Sequence, residues 1–293
     1  MRVLLTGGTG FIGRALADAL AAAGHTVTLV TRDPGRARGA AVGWDEVPAA
    51  VAAADAVVNL AGEPLAAGRW TDARKAEIRG SRVDATRRLV AAVAAAPSRP
   101  SVLVSASAVG YYGPHGDEPL DETAAPGEGF LAEVCRAWEA EAAPAEALGL
   151  RVVRLRFGLV LGRDGGALAR MLPPFRAFVG GALGSGAQWM SWIHRDDVVG
   201  LVLEALAKEA YRGPVNATAP HPVTNAEFTR VLGRILARPT LVRVPAAVLR
   251  LALGETADML LTGQRVLPAV AERLGYRWRY ADLVPALRAS VAR

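Results

Sequence analysis

Apolar and polar positions along this chain alternate between a strand-like and a helix-like period. A short apolar run, Val3 to Leu5, leads straight into glycines spaced by three, Gly7, Gly10 and Gly13. A helical pattern follows at once: Ile12, Leu16 and Leu20 recur with Ala15 and Ala19 on one face, while Arg14 and Asp18 fall on the other. Gly24 is placed to end that helix. His25 to Thr31 reads as a second strand, completing a βαβ unit of about 30 residues. Arg32 to Gly43 reads as a loop rich in Arg, Gly and Ala, and Val47 to Ala54 as a short alanine-rich helix. Ala56 to Leu60 is a buried strand that runs into Ala61-Gly62. The stretch Trp70 to Ala96 predicts a long amphipathic helix bounded by Pro97 and Pro100. It sets Ile78, Val83, Leu89, Val90 and Val93 on one side and Arg74, Lys75, Arg79 and Arg87 on the other. Ser101 to Ser105 is the next strand, Phe130 to Leu148 a helix, and Arg151 to Phe157 a strand. This alternation implies an α/β fold built on a doubly wound parallel sheet.

Beyond residue 160 the rhythm changes. Leu161 to Gln188 carries Gly165-Gly166, Pro173-Pro174 and Gly180-Gly181 and reads as a segment lying over a cleft. Trp189 to His194 returns as a short strand, Asp196 and Asp197 cap a helix reaching about Lys208, and Val215 to Thr218 is a further strand. Thr224 begins a helix with Glu227 completing a capping box. From Val244 the chain reads as small helices closing with Tyr276-Arg-Trp-Arg-Tyr280. These shifts divide the chain into a nucleotide-binding domain of residues 1–160 and 189–218 and a smaller substrate-side and C-terminal domain of residues 161–188 and 219–293. No internal repeat is present.

Composition narrows the function classes. A hydrophobic content of 52% over 293 residues supplies ample core. No apolar run approaches the ~20 residues that cross a bilayer, and the N-terminus lacks the features of a signal peptide, so the default location is cytoplasmic, with no membrane partner. Cys135 is the sole cysteine and His25, His115, His194 and His221 show no metal-ligand spacing, so neither a disulfide within the chain nor a metal site is expected. The net charge of +6 comes almost entirely from arginines spread along the chain, with lysine only at Lys75 and Lys208. No basic stripe interleaved with aromatics is present, so no nucleic-acid partner is expected. A small-molecule substrate is the expected partner, and homo-oligomerisation stays open.

A strand, a glycine turn and a helix together let a pyrophosphate rest on backbone N–H groups at a helix N-terminus. A side chain at the second glycine would hold the phosphates off, and one at the third would force helix and strand apart. Gly7, Gly10, Phe11, Ile12 and Gly13 are therefore candidate cofactor contacts. At the end of the second strand an NAD enzyme usually places Asp or Glu for the ribose hydroxyls, whereas this chain has Thr31 and Arg32. A guanidinium pairs bidentately with a 2′-phosphate and a hydroxyl donates to it, which favours NADP(H) over NAD(H). The alternative is that Arg32 is a solvated loop charge and Asp33 takes the ribose. Arg36 and Arg38 add positive potential at the same edge.

Several motifs carry a family resemblance: Thr6-Gly-Gly-Thr-Gly-Phe-Ile-Gly13, Asn59-Leu-Ala-Gly62, Ser105-Ala-Ser-Ala-Val-Gly-Tyr-Tyr-Gly113, Arg156-Phe-Gly-Leu-Val-Leu-Gly162 and Trp192-Ile-His-Arg-Asp-Asp197. Together they resemble the extended short-chain dehydrogenase/reductase family, which includes the nucleotide-sugar epimerases and dehydratases, and the resemblance covers essentially the whole chain. More narrowly, Gly62-Glu-Pro-Leu65, Ser81-Arg-Val83, Cys135-Arg-Ala-Trp-Glu139 and Gly186-Ala-Gln-Trp-Met-Ser-Trp-Ile-His194 resemble its "epimerase family protein" branch. The segment from Pro245 through Gly263-Gln-Arg-Val266 resembles a small domain of unassigned function appended to that branch. The resemblance implies a nicotinamide dinucleotide lying along Leu60, Ala61 and Gly62.

In the resembled family a Tyr and a Lys four residues later do the acid/base work, the ammonium lowering the tyrosine pKa, while a nearby Ser or Thr orients the substrate oxygen. With Glu139 taken as the acidic residue that follows that pair, the two positions fall on Leu131 and Cys135. No Tyr and no Lys lies between Pro114 and Leu148, so the dyad is absent. Two readings follow. In the first, an oxidoreductase or epimerase-like enzyme uses Ser107 as the orienting hydroxyl and Tyr111 or Tyr112 as proton donor; the plain alternative makes both tyrosines packing aromatics. In the second, the chain binds NADP(H) without turnover, as a redox-responsive module whose C-terminal annex meets a protein partner.

Glu63, Arg69, Trp70, Arg82, Gln188, Trp189 and Trp192 are groups of the sort a small-molecule pocket uses. Of these Glu63, Arg82 and Trp192 are assigned to the substrate, with a core role the alternative for Trp192. Cys135 either faces the site or is an inert buried thiol. Glu133 and Glu139 are expected on opposite faces of their helix in surface or capping roles. His194 is expected to brace the backbone. Arg156 either pairs near its strand end or binds a substrate anion.

Overall fold

The computed structural model describes residues 1–292. It begins with β1 (Arg2–Thr6), α1 (Phe11–Ala22), β2 (Thr26–Val30), β3 (Ala41–Val42), α2 (Val47–Ala52), β4 (Ala56–Asn59) and α3 (Asp72–Ala95). There follow β5 (Val102–Ala108), β6 (Pro119–Leu120), α4 (Phe130–Ala142), β7 (Arg151–Phe157) and β8 (Leu159–Leu161). The main sheet is completed much later by β12 (Gly213–Ala217). Its strand order is β12-β7-β5-β4-β1-β2-β3, and every pairing in it is parallel. The chain winds outward in both directions from the β1–β4 pair, so the crevice where a ligand can enter opens at the C-terminal ends of those two strands.

The periodicity explains the layers. Side chains alternate across a strand, so Val3 and Leu5 of β1 pack with Leu16 and Leu20 of α1 on one face, and Leu4 packs with Val57, Leu89, Val93 and Leu103 on the other. Helices cover both faces, which is why the strands read as continuous apolar runs. Gly24 ends α1 as expected: its N–H bonds Ala21 O, His25 N–H bonds Leu20 O, and φ is +79°.

Several elements depart from the sequence reading. The 32–43 loop contains β3, which adds an edge strand through Leu29↔Ala41 and Val30↔Val42; two residues are too short to leave a period. The helix read to Leu148 ends at Ala142, and Ala143–Glu146 continues as a 3₁₀ turn where Pro144 supplies no N–H. The 161–188 segment is not one irregular strap: it folds into α5 (Gly166–Arg176) and β9 (Gly181–Leu183).

The chain then forms β10 (Trp189–Met190), β11 (Trp192–His194) and α6 (Arg195–Ala207). The cap of α6 is His194 rather than the aspartates: its Nδ1 accepts from Asp196 N at 3.2 Å. After β12 come β13 (Val223–Thr224) and α7 (Asn225–Leu236), whose Thr224 hydroxyl accepts from Glu227 N at 3.3 Å. Then follow β14 (Val242–Val244), α8 (Ala246–Leu253) and short elements to Val291.

Residues 189–194 lie at the seam of the two units. Strand β11 pairs β8, and β10 pairs β13, both outside the main sheet. Ile193 faces the main core, while Trp192 faces a separate C-terminal core of Leu161, Leu168, Phe175, Phe228, Leu232 and Leu287.

The long loop from Gly62 to Thr71 is tied down by this C-terminal unit. Trp70 N donates to Thr256 Oγ1 at 2.9 Å, the Thr256 hydroxyl donates to Gly68 O at 3.3 Å, and Arg69 reaches Leu251 O at 3.4 Å. Lys75 pairs with Glu255, and Arg170 donates to Ala66 O. The C-terminal unit thereby fixes one wall of the crevice. No described helix is long and apolar enough to cross a membrane.

Candidate functional site

The first wall of the crevice is the glycine turn. Gly7 sits at φ +68°, and a Cβ there would lie 2.5 Å from Leu60 O, so this position tolerates no side chain. A Cβ on Gly13 would lie 2.1 Å from Gly7 O and 2.7 Å from Gly8 Cα, so the third glycine is what lets α1 seat against the turn. A Cβ on Gly10, by contrast, meets only Gly7 O at 3.2 Å. Gly10 is the N-cap of α1, no side chain caps it, and no acidic residue occupies the first turn, so the positive end of the helix dipole faces the opening. Phe11 is roofed by the 162–166 loop: Cβ atoms on Gly162, Gly165 and Gly166 would fall 2.9, 2.4 and 2.8 Å from its ring. Arg195 lies 5.0 Å from the Phe11 ring centre on the same side.

Behind the turn, buried Asn59 fixes the strand ends. It accepts from Thr6 Oγ1 at 2.7 Å and donates to Thr86 Oγ1 at 2.8 Å, and Ala61 N donates to Thr6 Oγ1 at 3.2 Å. Leu60, Ala61 and Gly62 therefore run beside Gly7 at the crevice mouth.

The second wall lies at the end of β2. The Arg32 side chain is 85% exposed, and its Nη1 is 3.1 Å from Glu63 Oε1. Thr31 Oγ1 accepts from Asp33 N at 3.3 Å, and the Asp33 carboxylate is turned to Arg36 at 3.3 Å. Two residues assigned to the substrate have protein partners here. Glu63 sits at the β2 edge with Arg32, because Glu63 N donates to Ser81 Oγ at 3.0 Å and Arg82 Nη2 donates to Glu63 O at 2.9 Å. Arg82 is itself a brace: it also donates to Ile78 O at 2.9 Å, packs under Gly62 and stacks 5.4 Å from Trp138.

The third wall is the end of β5 with the turn Val109–Tyr112 and helix α4. A buried polar network runs through it. Ser107 Oγ donates to Glu139 Oε1 at 2.7 Å, and Arg156 grips Glu139 through Nε at 2.8 Å and Nη2 at 2.9 Å. Arg156 Nη1 donates to Tyr112 OH at 2.9 Å, and that hydroxyl donates to Asn216 Oδ1 at 2.7 Å. Arg156 and Glu139 are 3% and 6% exposed, so the ion pair is buried.

Glu139 thus lies on the inner face of α4, against the expectation of a surface or capping role. Arg156 takes the pairing role. Tyr112 is corrected as proton donor: it is fully buried, its hydroxyl is committed at both ends, and burial pushes its pKa up to about 12. Tyr111 differs. It is half-buried, its ring centre lies 3.5 Å from the Arg156 guanidinium, and its hydroxyl bonds no protein group among the described residues.

Leu131 and Cys135 face this same turn, since a Cβ on Gly110 would lie 3.3 Å from Leu131 Cβ and 3.8 Å from Cys135 Sγ. Burial, with Glu139 nearby, pushes the Cys135 thiol up to about 12. Cys135 should therefore fail to react with a disulfide reagent at pH 8 in the folded protein and react fully once urea unfolds it. Rapid labelling of the native chain would contradict that burial.

Trp192 is corrected as a substrate group: it is fully buried and its Nε1 donates to His221 O at 3.0 Å. Gln188 bonds Leu183 O and Leu260 O, and Trp189 bonds Asp117 Oδ1. Both brace loops. The C-terminal segment adds a contact that the sequence reading missed: Gln264 Nε2 donates to Val109 O at 2.6 Å, holding the turn that presents Tyr111.

Comparison with known proteins matches this geometry. The NAD dependent epimerase/dehydratase family matches residues 3–217, and a domain of unknown function (DUF1731) matches residues 244–290. The epimerase family protein SDR39U1 of Homo sapiens is 42% identical over 299 residues, covering 100% of both chains. The chloroplastic SDR39U1 homologue of Arabidopsis thaliana is 45% identical, covering 99% of this chain and 86% of its own. The crystal structure of human SDR39U1 (isoform 2) with NADPH superposes with a TM-score of 0.91 at 38% identity, covering 99% of each chain. With a seven-stranded parallel sheet, the glycine turn at its switch point and a matching C-terminal unit, the chain belongs to the NAD dependent epimerase/dehydratase family, in the extended short-chain dehydrogenase/reductase group, and carries a DUF1731 domain.

Proposed function

We propose that this chain is an NADP(H)-binding oxidoreductase or epimerase-like enzyme acting on a small molecule, with its proton donor moved from the family position to Tyr111. The observation that carries the cofactor reading is the Gly7–Gly13 turn, a cradle whose open side at Gly10 a Cβ would fill, beside an exposed Arg32 at the edge where NAD enzymes carry a carboxylate. The pyrophosphate would rest on the first turn of α1 near Phe11, Ile12 and Gly13, and Leu60, Ala61 and Gly62 would line the adjoining path. Arg32, with Thr31, would take the 2′-phosphate. The human relative, solved with NADPH, supports this choice of dinucleotide.

A bound nicotinamide supplies or accepts hydride at the crevice. The chain's own contribution is positioning and proton transfer. Arg156 holds the Tyr111 ring, Ser107 and Tyr112 hold Arg156 and Glu139 in place, and Gln264 fixes the turn. Tyr111 would give a proton to, or take one from, a substrate oxygen. A second reading, binding without turnover, is favoured by one observation: α4 presents Leu131 and a thiol that burial keeps protonated to the Gly110 turn, and no tyrosine or ammonium.

Thermal melting tests the cofactor. NADPH at a hundred times its Kd stabilises by about 2.7 kcal/mol, and at about 2–4 °C per kcal/mol the midpoint should rise by about 5–10 °C. At equal concentration NADH should give a smaller shift, and Arg32→Ala should erase the difference. Equal shifts in the unaltered chain overturn the 2′-phosphate assignment, and no shift with either dinucleotide overturns dinucleotide binding.

A further inference from the structure

The carboxylate that meets Arg32 comes from the loop after β4, and it is held from behind. Glu63 N is bonded to Ser81 Oγ, Glu63 O is bonded to Arg82, and Arg82 is anchored on Ile78 O under Gly62. Helix α3 therefore fixes the Glu63 backbone, from which the carboxylate reaches Arg32. Arg32 is the movable partner, 85% exposed with Glu63 as its ion-pair partner. The two groups line one hollow with Ser81 and Glu77, and Glu77 is tied to Arg74 at 2.6 Å.

We propose that Glu63 is a specificity-determining residue that works against Arg32, setting how strongly the chain prefers NADP(H) to NAD(H). The inference rests on the NADP(H) reading above and deepens it. A 2′-phosphate arriving at Arg32 competes with Glu63 for the guanidinium and lies close to a carboxylate whose backbone α3 holds. A 2′-hydroxyl meets no such opposition, because a carboxylate accepts a hydrogen bond from it. The unusual placement of the acidic group, on the β4 loop instead of at the end of β2, gives one edge the means to accept both dinucleotides.

The test is a fluorescence titration of NADPH and NADH against the full chain and its variants. Glu63→Gln keeps shape and removes charge, and it should tighten NADPH about two- to five-fold while leaving NADH unchanged or weaker, the upper part of the range for one exposed ion-pair competitor. Glu63→Ala should move the NADPH:NADH affinity ratio in the same direction, which guards against an effect peculiar to glutamine. Glu146→Gln, before the start of β7 and so at the end of the sheet away from the crevice, should leave the ratio unchanged. A ratio in Glu63→Gln within about two-fold of the unaltered chain, or one that falls, overturns the proposal. If that happens while Arg32→Ala still abolishes the NADPH preference, Glu63 alone is wrong. If Arg32→Ala changes nothing, the 2′-phosphate assignment is what fails, and the specificity role of Glu63 falls with it.

Discussion

Replacing Arg156 by alanine should cost the folded chain about 3–5 kcal/mol, because it leaves the Glu139 carboxylate buried with no cation. Ser107 Oγ alone would remain as its side-chain donor, and Tyr112 OH would lose the bond it accepts. At about 2–4 °C per kcal/mol the melting midpoint should fall by roughly ten degrees. Urea unfolding followed by circular dichroism measures this directly. A paired Arg156→Met/Glu139→Leu variant should recover part of the loss, since replacing both charges removes the uncompensated one. Arg156→Lys should recover little, because an ammonium cannot reproduce the two-pronged grip through Nε and Nη2. A loss under about 1 kcal/mol in Arg156→Ala would mean that water reaches Glu139 and that the network is not the keystone of this end of the sheet.

The same network explains what could and could not be read from the residues in order. The dinucleotide end was legible because it depends on backbone: glycine spacing, the strand before it and the helix after it are all local. The sheet was legible for a similar reason, since helices on both faces make each inner strand apolar throughout. The end of β5 and its network with α4 depend on register and helix phase, which are nonlocal. Ser107 and Arg156 stand side by side because β5 and β7 pair in that register, and Glu139 reaches them because it lies one turn beyond Cys135 on the inner face of α4. The i, i+4 spacing of Cys135 and Glu139 was the available signal. Once Cys135 is placed opposite Gly110, Glu139 must point inward too. The pairing of Glu63 with Arg32 was not legible for a different reason: the course of a loop is set by its anchors, and Ser81 and Arg82 lie on a helix nearly twenty residues away in sequence. Trp192 was misread because an aromatic beside polar neighbours fits a pocket and a core equally well until its packing partners are known.

The C-terminal unit gains a physical role from these contacts. It holds the Gly68–Trp70 loop through Thr256 and Leu251 and the Val109 turn through Gln264. This arrangement makes the crevice dependent on contacts from the C-terminal segment, and it focuses the chemical question on Tyr111, whose hydroxyl bonds no protein group among the described residues.

That hydroxyl and its neighbour should separate on mutation. Tyr112→Phe strips a buried oxygen from between Arg156 and Asn216, and leaving those two groups unsatisfied should lower stability by about 1–3 kcal/mol. Tyr111→Phe keeps the ring on Arg156 and removes a hydroxyl that bonds no protein group among the described residues, so stability and NADPH affinity should hold. Its turnover of a carbonyl or nucleoside-diphosphate-sugar substrate should fall about 10²-fold or more, the usual contribution of a positioned proton donor. The loss should appear in kcat, because the substituted group acts on the reacting oxygen and contributes little to holding the cofactor. The comparison is made with the substrate that gives turnover in the unaltered chain, with melting and NADPH titration run on the same preparations. Full activity in Tyr111→Phe would remove this tyrosine from the chemistry. Absence of turnover across the whole panel, with NADPH bound tightly, would instead favour the binding-module reading that Leu131 and Cys135 suggest.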